Sequence, residues 1–184
     1  YPIKKKMLSK LLFLDAHPSE EAIKILDSMY YDIDESLVLN YWYTRLCILI
    51  SLGDFYEAIN KIISLELNHI KFVSLLGYAI SRLTISDRNN KDLDIYKEKF
   101  EDKVLALKDQ ECDDIHKDFL EYIRIVISDQ ENGTENELNL LKNFLIPKMK
   151  NVQHRVYSPI YASRYTTLLG KKAKYKDAYL FSIN

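Results

Sequence analysis

Cys112, Asp113 and His116 form the tightest grouping of metal-capable side chains in this sequence. Residues four apart on a helix lie one above the other, so Cys112 and His116 would share a face. Two ligands at that spacing only begin a site, because zinc takes three or four. The group therefore reads as an acidic helix start carrying a histidine, and no metal is expected. The remaining histidines, His17, His69 and His154, are scattered. Glu98, Glu101 and Asp102 fall on what reads as a solvated helix face, whereas acid–base catalysis needs carboxylates held in a cleft. No serine or cysteine stands in a nucleophile context. Asn132-Gly133-Thr134 spells a glycosylation acceptor, but a helix cap at Thr134, answered by Glu137 three residues on, accounts for it.

Phosphate chemistry is equally absent. The four glycines, Gly53, Gly77, Gly133 and Gly170, fit helix ends or helix-packing positions, and no phosphate-loop or dinucleotide pattern contains them. No catalytic residue, cofactor or bound nucleic acid is expected, and the chain does not read as an enzyme. What stands out is tyrosine: fourteen, against seven phenylalanines and one tryptophan. Tyrosine fills helix–helix seams while its hydroxyl reaches water, and together with arginine and amides it also grips peptides.

The elements that must position these groups are helical. Apolar residues recur at three- and four-residue spacing with no strand-type alternation. The pattern predicts helices at about 4–15, 18–31, 36–52, 55–67, 70–86, 91–108, 112–130, 135–150, 154–170 and 174–184. With only four glycines and four prolines, the chain lacks the turn residues of all-β and nucleotide-binding α/β proteins. Pro18, with Glu20 and Glu21, suits a helix N-terminus. Gly53 suits a left-handed helix end, Asp54 the next cap, and Glu57 the reciprocal position of a capping box.

At 184 residues the chain is long enough for one cored domain spanning 1–184. Its formal net charge is only −1, yet residues 87–137 hold sixteen acids and eight bases, and residues 138–184 hold nine bases and one acid. Such a division reads as the acidic and basic flanks of an elongated molecule, or as a basic end that meets phosphate, membrane or an acidic partner. Cys47 and Cys112 make no disulfide framework. Lys4-Lys5-Lys6 ahead of residues 7–14 has the outline of a signal sequence, but Ser9, Lys10 and Asp15 interrupt it and no small-residue cleavage site follows. The chain opens on Tyr1 and stops at Asn184 within a helical pattern, which reads as a piece of a longer protein.

One unit carries a repeat signature: Trp42, Leu46 and Leu49, then Leu52-Gly53-Asp54-Phe55, Glu57-Ala58-Ile59 and Ile62. It resembles the tetratricopeptide (TPR) pattern, in which a tryptophan begins the first helix and an alanine lets the second approach closely. Leu46 stands where a small residue is usual, Ile62 replaces an aromatic, and the closing proline is missing. Weaker copies surround it. His17 to Ile23 with Leu26 reads as a second helix partnering residues 3–14, Leu76-Gly77 with Ile80 as a first helix, and Tyr165, Leu169 and Lys174 to Ala178 as the last pair. Ala22 and Ala58 are 36 residues apart, and the pattern is poorest from 87 to 137.

The resemblance implies an all-α, TPR-like α-α superhelix (solenoid) of about four to five divergent helix pairs. Its repeat register places Asn40, Tyr43, Cys47, Tyr78, Ser81, Arg82, Ser163, Arg164 and Thr167 on a concave groove. Asn40, Tyr43, Tyr78, Arg82 and Arg164 are the partner-binding candidates, for a peptide or protein. In style, the opening segment and Tyr175 to Tyr179 resemble the N-terminal sensor regions of bacterial membrane-bound diguanylate cyclases and histidine kinases. That implies an extracytoplasmic, non-catalytic sensor and interaction module, with a transmembrane segment and output domain elsewhere. Signalling would then run through a change of curvature or of homodimer geometry. The alternatives are a peptide-binding repeat domain of a cytoplasmic quorum-sensing transcription regulator and a plain assembly scaffold.

Overall fold

The computed structural model describes residues 2–87, 89–107, 113–128, 133–150, 157–172, 174, 177, 178 and 181, with the backbone alone at 2, 133 and 134. The described residues are helices and turns, with no β-strand among them. The all-α expectation holds. None of their helices is long and apolar enough to cross a membrane. Two compact units divide the chain, Tyr1–Leu107 and Lys108–Asn184.

The first unit holds α1 (Pro2–Ala16), α2 (Glu20–Met29), α3 (Val38–Leu52), α4 (Phe55–Ser64), α5 (Ile70–Ser86) and α6 (Leu93–Ala106). The apolar period located all six, while local chemistry set their ends. Ser19, not Pro18, caps α2, with its hydroxyl accepting from the Ala22 N–H at 3.1 Å. Pro18 therefore lies just ahead of the cap and not in the first turn. Glu20 and Glu21 sit in that turn, as expected. Beyond Met29, two 3₁₀ turns at Tyr30–Asp32 and Glu35–Leu37 replace the predicted helix ends. Asp34 starts the second turn by accepting from the Ser36 N–H at 2.8 Å. Gly53 ends α3 at φ 90°, the left-handed conformation its lack of a Cβ permits.

Asp54 does occupy the cap position of α4, but its side chain makes no cap hydrogen bond. Glu57 is drawn away as well. Its carboxylate accepts from Arg45 at 2.7 Å, a charge-assisted bond stronger than one from a backbone N–H. Arg45 also donates to Asp27 at 2.9 Å, so one guanidinium ties α2, α3 and α4 together.

Within this unit α3 packs on α1, α2, α4 and α5, while α5 also packs on α4 and α6. Leu11, Leu14, Ala22, Leu26, Met29, Tyr41 and Ile48 form a continuous core among the first three helices. Ala22 and Ala58 are both buried, which fits the close helix approach expected at each. Bonds from α6 to α4, and to the segment that follows α4, bring residues one spacing apart together. The Tyr96 hydroxyl donates to Asn60 Oδ1 at 3.2 Å across 36 residues, and Lys103 Nζ donates to Asn68 Oδ1 at 2.7 Å across 35.

The second unit holds α7 (Asp114–Ser128), α8 (Gly133–Leu140), a π-helical segment (Leu141–Leu145), α9 (Ile146–Lys148) and α10 (Ser158–Lys171). The predicted helix over 135–150 is thus a helix with a π-turn inside it. Pro147 has no N–H and its ring crowds the preceding turn, which disfavours a regular α-helix through this stretch. The chain widens its turn instead, and the Ile146 N–H donates to the Leu141 carbonyl, five residues back. Cys112, Asn132, His154, Tyr175, Lys176 and Tyr179 lie outside the described residues. Ala178 is buried, and its N–H donates to the Lys174 carbonyl at 3.0 Å, as in a helix.

Candidate functional site

In the first unit, one accessible stripe of α3 carries Asn40, Tyr43, Cys47 and Ser51, spaced three or four apart, while Leu39 and Leu52 are exposed outside it. α5 does the same with Lys71, Leu75, Tyr78, Arg82 and Ile85. This is the spacing of a single helix stripe. Tyr43 makes an edge contact with Phe72 of α5, with ring centroids 6.0 Å apart. On its other side, Cys47 is hydrogen-bonded to Asp15 of α1. Asn40 and Arg82 are exposed, and Tyr43, Cys47 and Tyr78 are half-buried. Ser81 is not on this surface. It is buried, and its hydroxyl turns back to donate to the Tyr78 carbonyl at 2.7 Å. The repeat register had rotated it outward by one position too few, and one residue is worth about 100° of helix.

Asp15 was not foreseen. It sits at the end of α1, where nothing local distinguishes it from a helix-terminal acid, and only packing brings it to Cys47. The thiol donates to the Asp15 carboxylate, and the Tyr43 hydroxyl donates to the sulfur. Burial, and next the Asp15 charge, push the Cys47 thiol up to about 12. Burial also raises the Asp15 carboxyl, against the opposing effect of the thiol hydrogen bond. A thiol held protonated is a packing group and a weak nucleophile. In a Cys112→Ser chain at about pH 8, folded Cys47 is expected to alkylate on the order of a thousandfold more slowly than in the unfolded chain. Iodoacetamide labelling followed by mass spectrometry measures the two rates, and equal rates would contradict this arrangement.

The second unit has a different centre. Arg164 of α10 meets Glu137 of α8 side-on, with Nε donating to Oε1 at 2.8 Å and an Nη to Oε2 at 2.9 Å. The Tyr122 hydroxyl of α7 donates to the same Oε1 at 3.0 Å. Burial, and then the Glu137 charge, hold Tyr122 protonated well above its ordinary range. Arg164, expected to face a groove, spends its bidentate fork inside the unit. Glu137, expected to bond back to a helix cap at Thr134, is buried in that network instead. α8 already begins at Gly133, so Thr134 stands inside the helix.

Around this centre lies an aromatic cluster. Phe119 stacks on Tyr157 at 3.8 Å with the rings almost parallel, and Tyr122 meets Tyr161 edge-on at 5.2 Å. His116 is paired with Asp113 at 2.6 Å, and no three His, Cys, Asp or Glu side chains among the described residues converge as a metal site. The tyrosines largely fill seams, as expected. Several of their hydroxyls donate to an acid or an amide: Tyr41 to Asp27, Tyr96 to Asn60 and Tyr122 to Glu137.

Ser163 and Thr167, both groove candidates, line an open cavity of about 820 Å³ in the second unit. Thr166 joins them from α10, opposite Ile146, Met149 and Lys150 from the stretch that follows the π-turn, with Phe181 also in the lining. The threonine hydroxyls donate to backbone carbonyls one turn back, Thr166 to Ala162 and Thr167 to Ser163, both at 2.9 Å. Their oxygens keep the capacity to accept. The sequence signal for this place was Pro147 within a predicted helix, since π-turns often accompany functional sites.

No protein-family model, curated protein or solved structure matches this chain.

Proposed function

We propose that this chain is a non-catalytic, TPR-like interaction module that holds a peptide or protein partner, serving as the sensory part of a signal-transduction protein. The observation that carries this reading is the accessible surface of α3 and α5, which pack on each other, with α3 joined to α1 through Cys47 and Asp15. On it Asn40, Tyr43, Tyr78 and Arg82 present an amide, two aromatic rings and a guanidinium. That set supplies backbone-directed hydrogen bonds, flat apolar area and a charged fork, the combination found at binding hot spots. The succession of helix pairs supports the repeat interpretation, because α2, α4 and α6 follow α1, α3 and α5 in turn. The 36-residue tie between Tyr96 and Asn60 extends that spacing into α6, where the sequence pattern is poorest. A thiol held protonated at Cys47 gives this face no activated nucleophile.

Selection of a displayed random-peptide library on the full chain tests the reading. The best peptide is expected to lose about tenfold or more in affinity for the Arg82→Ala protein, measured by fluorescence anisotropy, with its melting temperature unchanged. Arg82 is exposed, so affinity and folding separate cleanly there. A selected peptide that binds Arg82→Ala and Asn40→Ala as tightly as the parent would place the binding surface elsewhere.

A further inference from the structure

α1 is apolar on two sides. Leu11 and Leu14 are buried in the core of the first unit, whereas Leu12 and Phe13 are each 62% exposed, Ile3 72% and Leu8 37%. A helix at the edge of a water-soluble bundle shows one apolar stripe, so the outer side of α1 calls for an occupant. Its charge indicates which. Lys4, Lys5, Lys6 and Lys10 are all exposed, and no acid precedes Asp15 in the helix. At about 100° per residue, Lys5 lies within the Leu8–Leu12–Phe13 arc, Lys6 just beyond its Phe13 edge with Lys10 farther on, and Lys4 about 40° beyond its Leu8 edge.

A second observation lies on the flank of α1 that carries Lys6 and Lys10, beyond the Phe13 edge of that arc. Between α1 and the end of α2 is a cavity of about 440 Å³ with Ile3, Met7 and Met29 in its lining. Lys6 and Lys10 border it one turn apart, with Ser28 and with Asp32 as the single acid. An apolar recess beside two ammonium groups fits an amphiphilic anion: a chain for the recess and a phosphate for the lysines.

We propose that the outer face of α1 docks on an anionic phospholipid bilayer, lying on it and not spanning it. Leu12 and Phe13 enter the boundary between headgroups and acyl chains, and the lysines reach lipid phosphates along their flexible stems. A protein partner fits this face less well, because protein interfaces are depleted in lysine whereas anionic membranes gather it. The proposal does not depend on the peptide-binding face, which involves other side chains.

Co-sedimentation of the full chain with vesicles tests it, using equal parts phosphatidylglycerol and phosphatidylcholine against phosphatidylcholine alone. Binding is expected to the anionic vesicles, about tenfold or more above the neutral ones, and to weaken as salt is added. The Leu12→Ser/Phe13→Ser and Lys5→Glu/Lys6→Glu proteins should each lose about tenfold or more of that binding, with melting temperatures near the parent's because all four side chains are exposed. A parent protein that stays in the supernatant with anionic vesicles at low salt overturns the proposal. So do double variants that sediment as the parent does. Sedimentation velocity without lipid covers the remaining case: a dimer abolished by Leu12→Ser/Phe13→Ser, with no vesicle binding, makes a second copy the occupant and ends the lipid proposal.

Discussion

Arg164→Ala is expected to lower the unfolding free energy by about 3–5 kcal/mol, the usual cost of stranding one member of a buried ion pair. The Glu137 side chain is only 3% exposed, and Arg164 satisfies both of its oxygens. Without the guanidinium, the carboxylate keeps only the Tyr122 hydroxyl among the bonds described to it, and water reaches it poorly. The comparison that separates charge from packing is Glu137→Leu combined with Arg164→Met. Removing both charges and keeping comparable bulk should bring stability back to within roughly 1–2 kcal/mol of the parent, since a buried pair contributes little beyond offsetting its own desolvation. Urea unfolding followed by far-UV circular dichroism gives both numbers. A loss below about 1 kcal/mol in the single variant would mean that the carboxylate is hydrated after all. The same variant bears on the cavity, because Ser163 and Thr166 flank Arg164 on α10. The arginine that the repeat pattern offered to a partner works as the clasp between α8 and α10.

Leu46→Ala should cost about 3 kcal/mol in the first unit, within the range of roughly 2–5 for truncating a buried leucine. Leu46 has no exposed surface, and it lies on α3, the helix that packs on four others. It also stands where the repeat pattern asks for a small residue. If the neighbouring helices had closed around a small side chain, truncation would restore the pattern at little cost. Because they have packed around leucine, truncation leaves a void whose lining loses its contacts. Trp42 reports on this unit alone, being the single tryptophan of the chain. It touches the rings of Tyr30 and Tyr41, and Lys61 Nζ sits 4.6 Å from its centroid, so its emission should follow unfolding directly. A change below about 1 kcal/mol would show that α3 can settle onto α4 and α5 as a small-residue repeat does.

These two positions mark where sequence reading stops. The helix end at Gly53 and the acidic first turn of α2 were legible, because each depends on residues within one turn of chain. The capping roles given to Glu57 and Glu137 were local readings of the same kind, and both failed for one reason. An arginine 12 residues before Glu57, and another 27 residues after Glu137, supplies a charged donor that a backbone N–H cannot match. That Asn40 and Tyr43 stay accessible on α3, and Tyr78 and Arg82 on α5, was legible because a stripe along each helix is a matter of spacing. Ser81 was not, because a single-position error in register turns a side chain from solvent into the core.

Helix content, the position of most helix ends and the buried alanines of α2 and α4 were determined by the sequence alone. All follow from backbone hydrogen bonding and side-chain periodicity over short spans. Tertiary structure decided the rest: the division into two units, the pairing of Arg45 and Arg164, the Asp15–Cys47 contact, and the cavity beside the π-turn. Those features join residues far apart in the chain, and only the packing of whole helices sets the distances and the burial that make one charge prefer another.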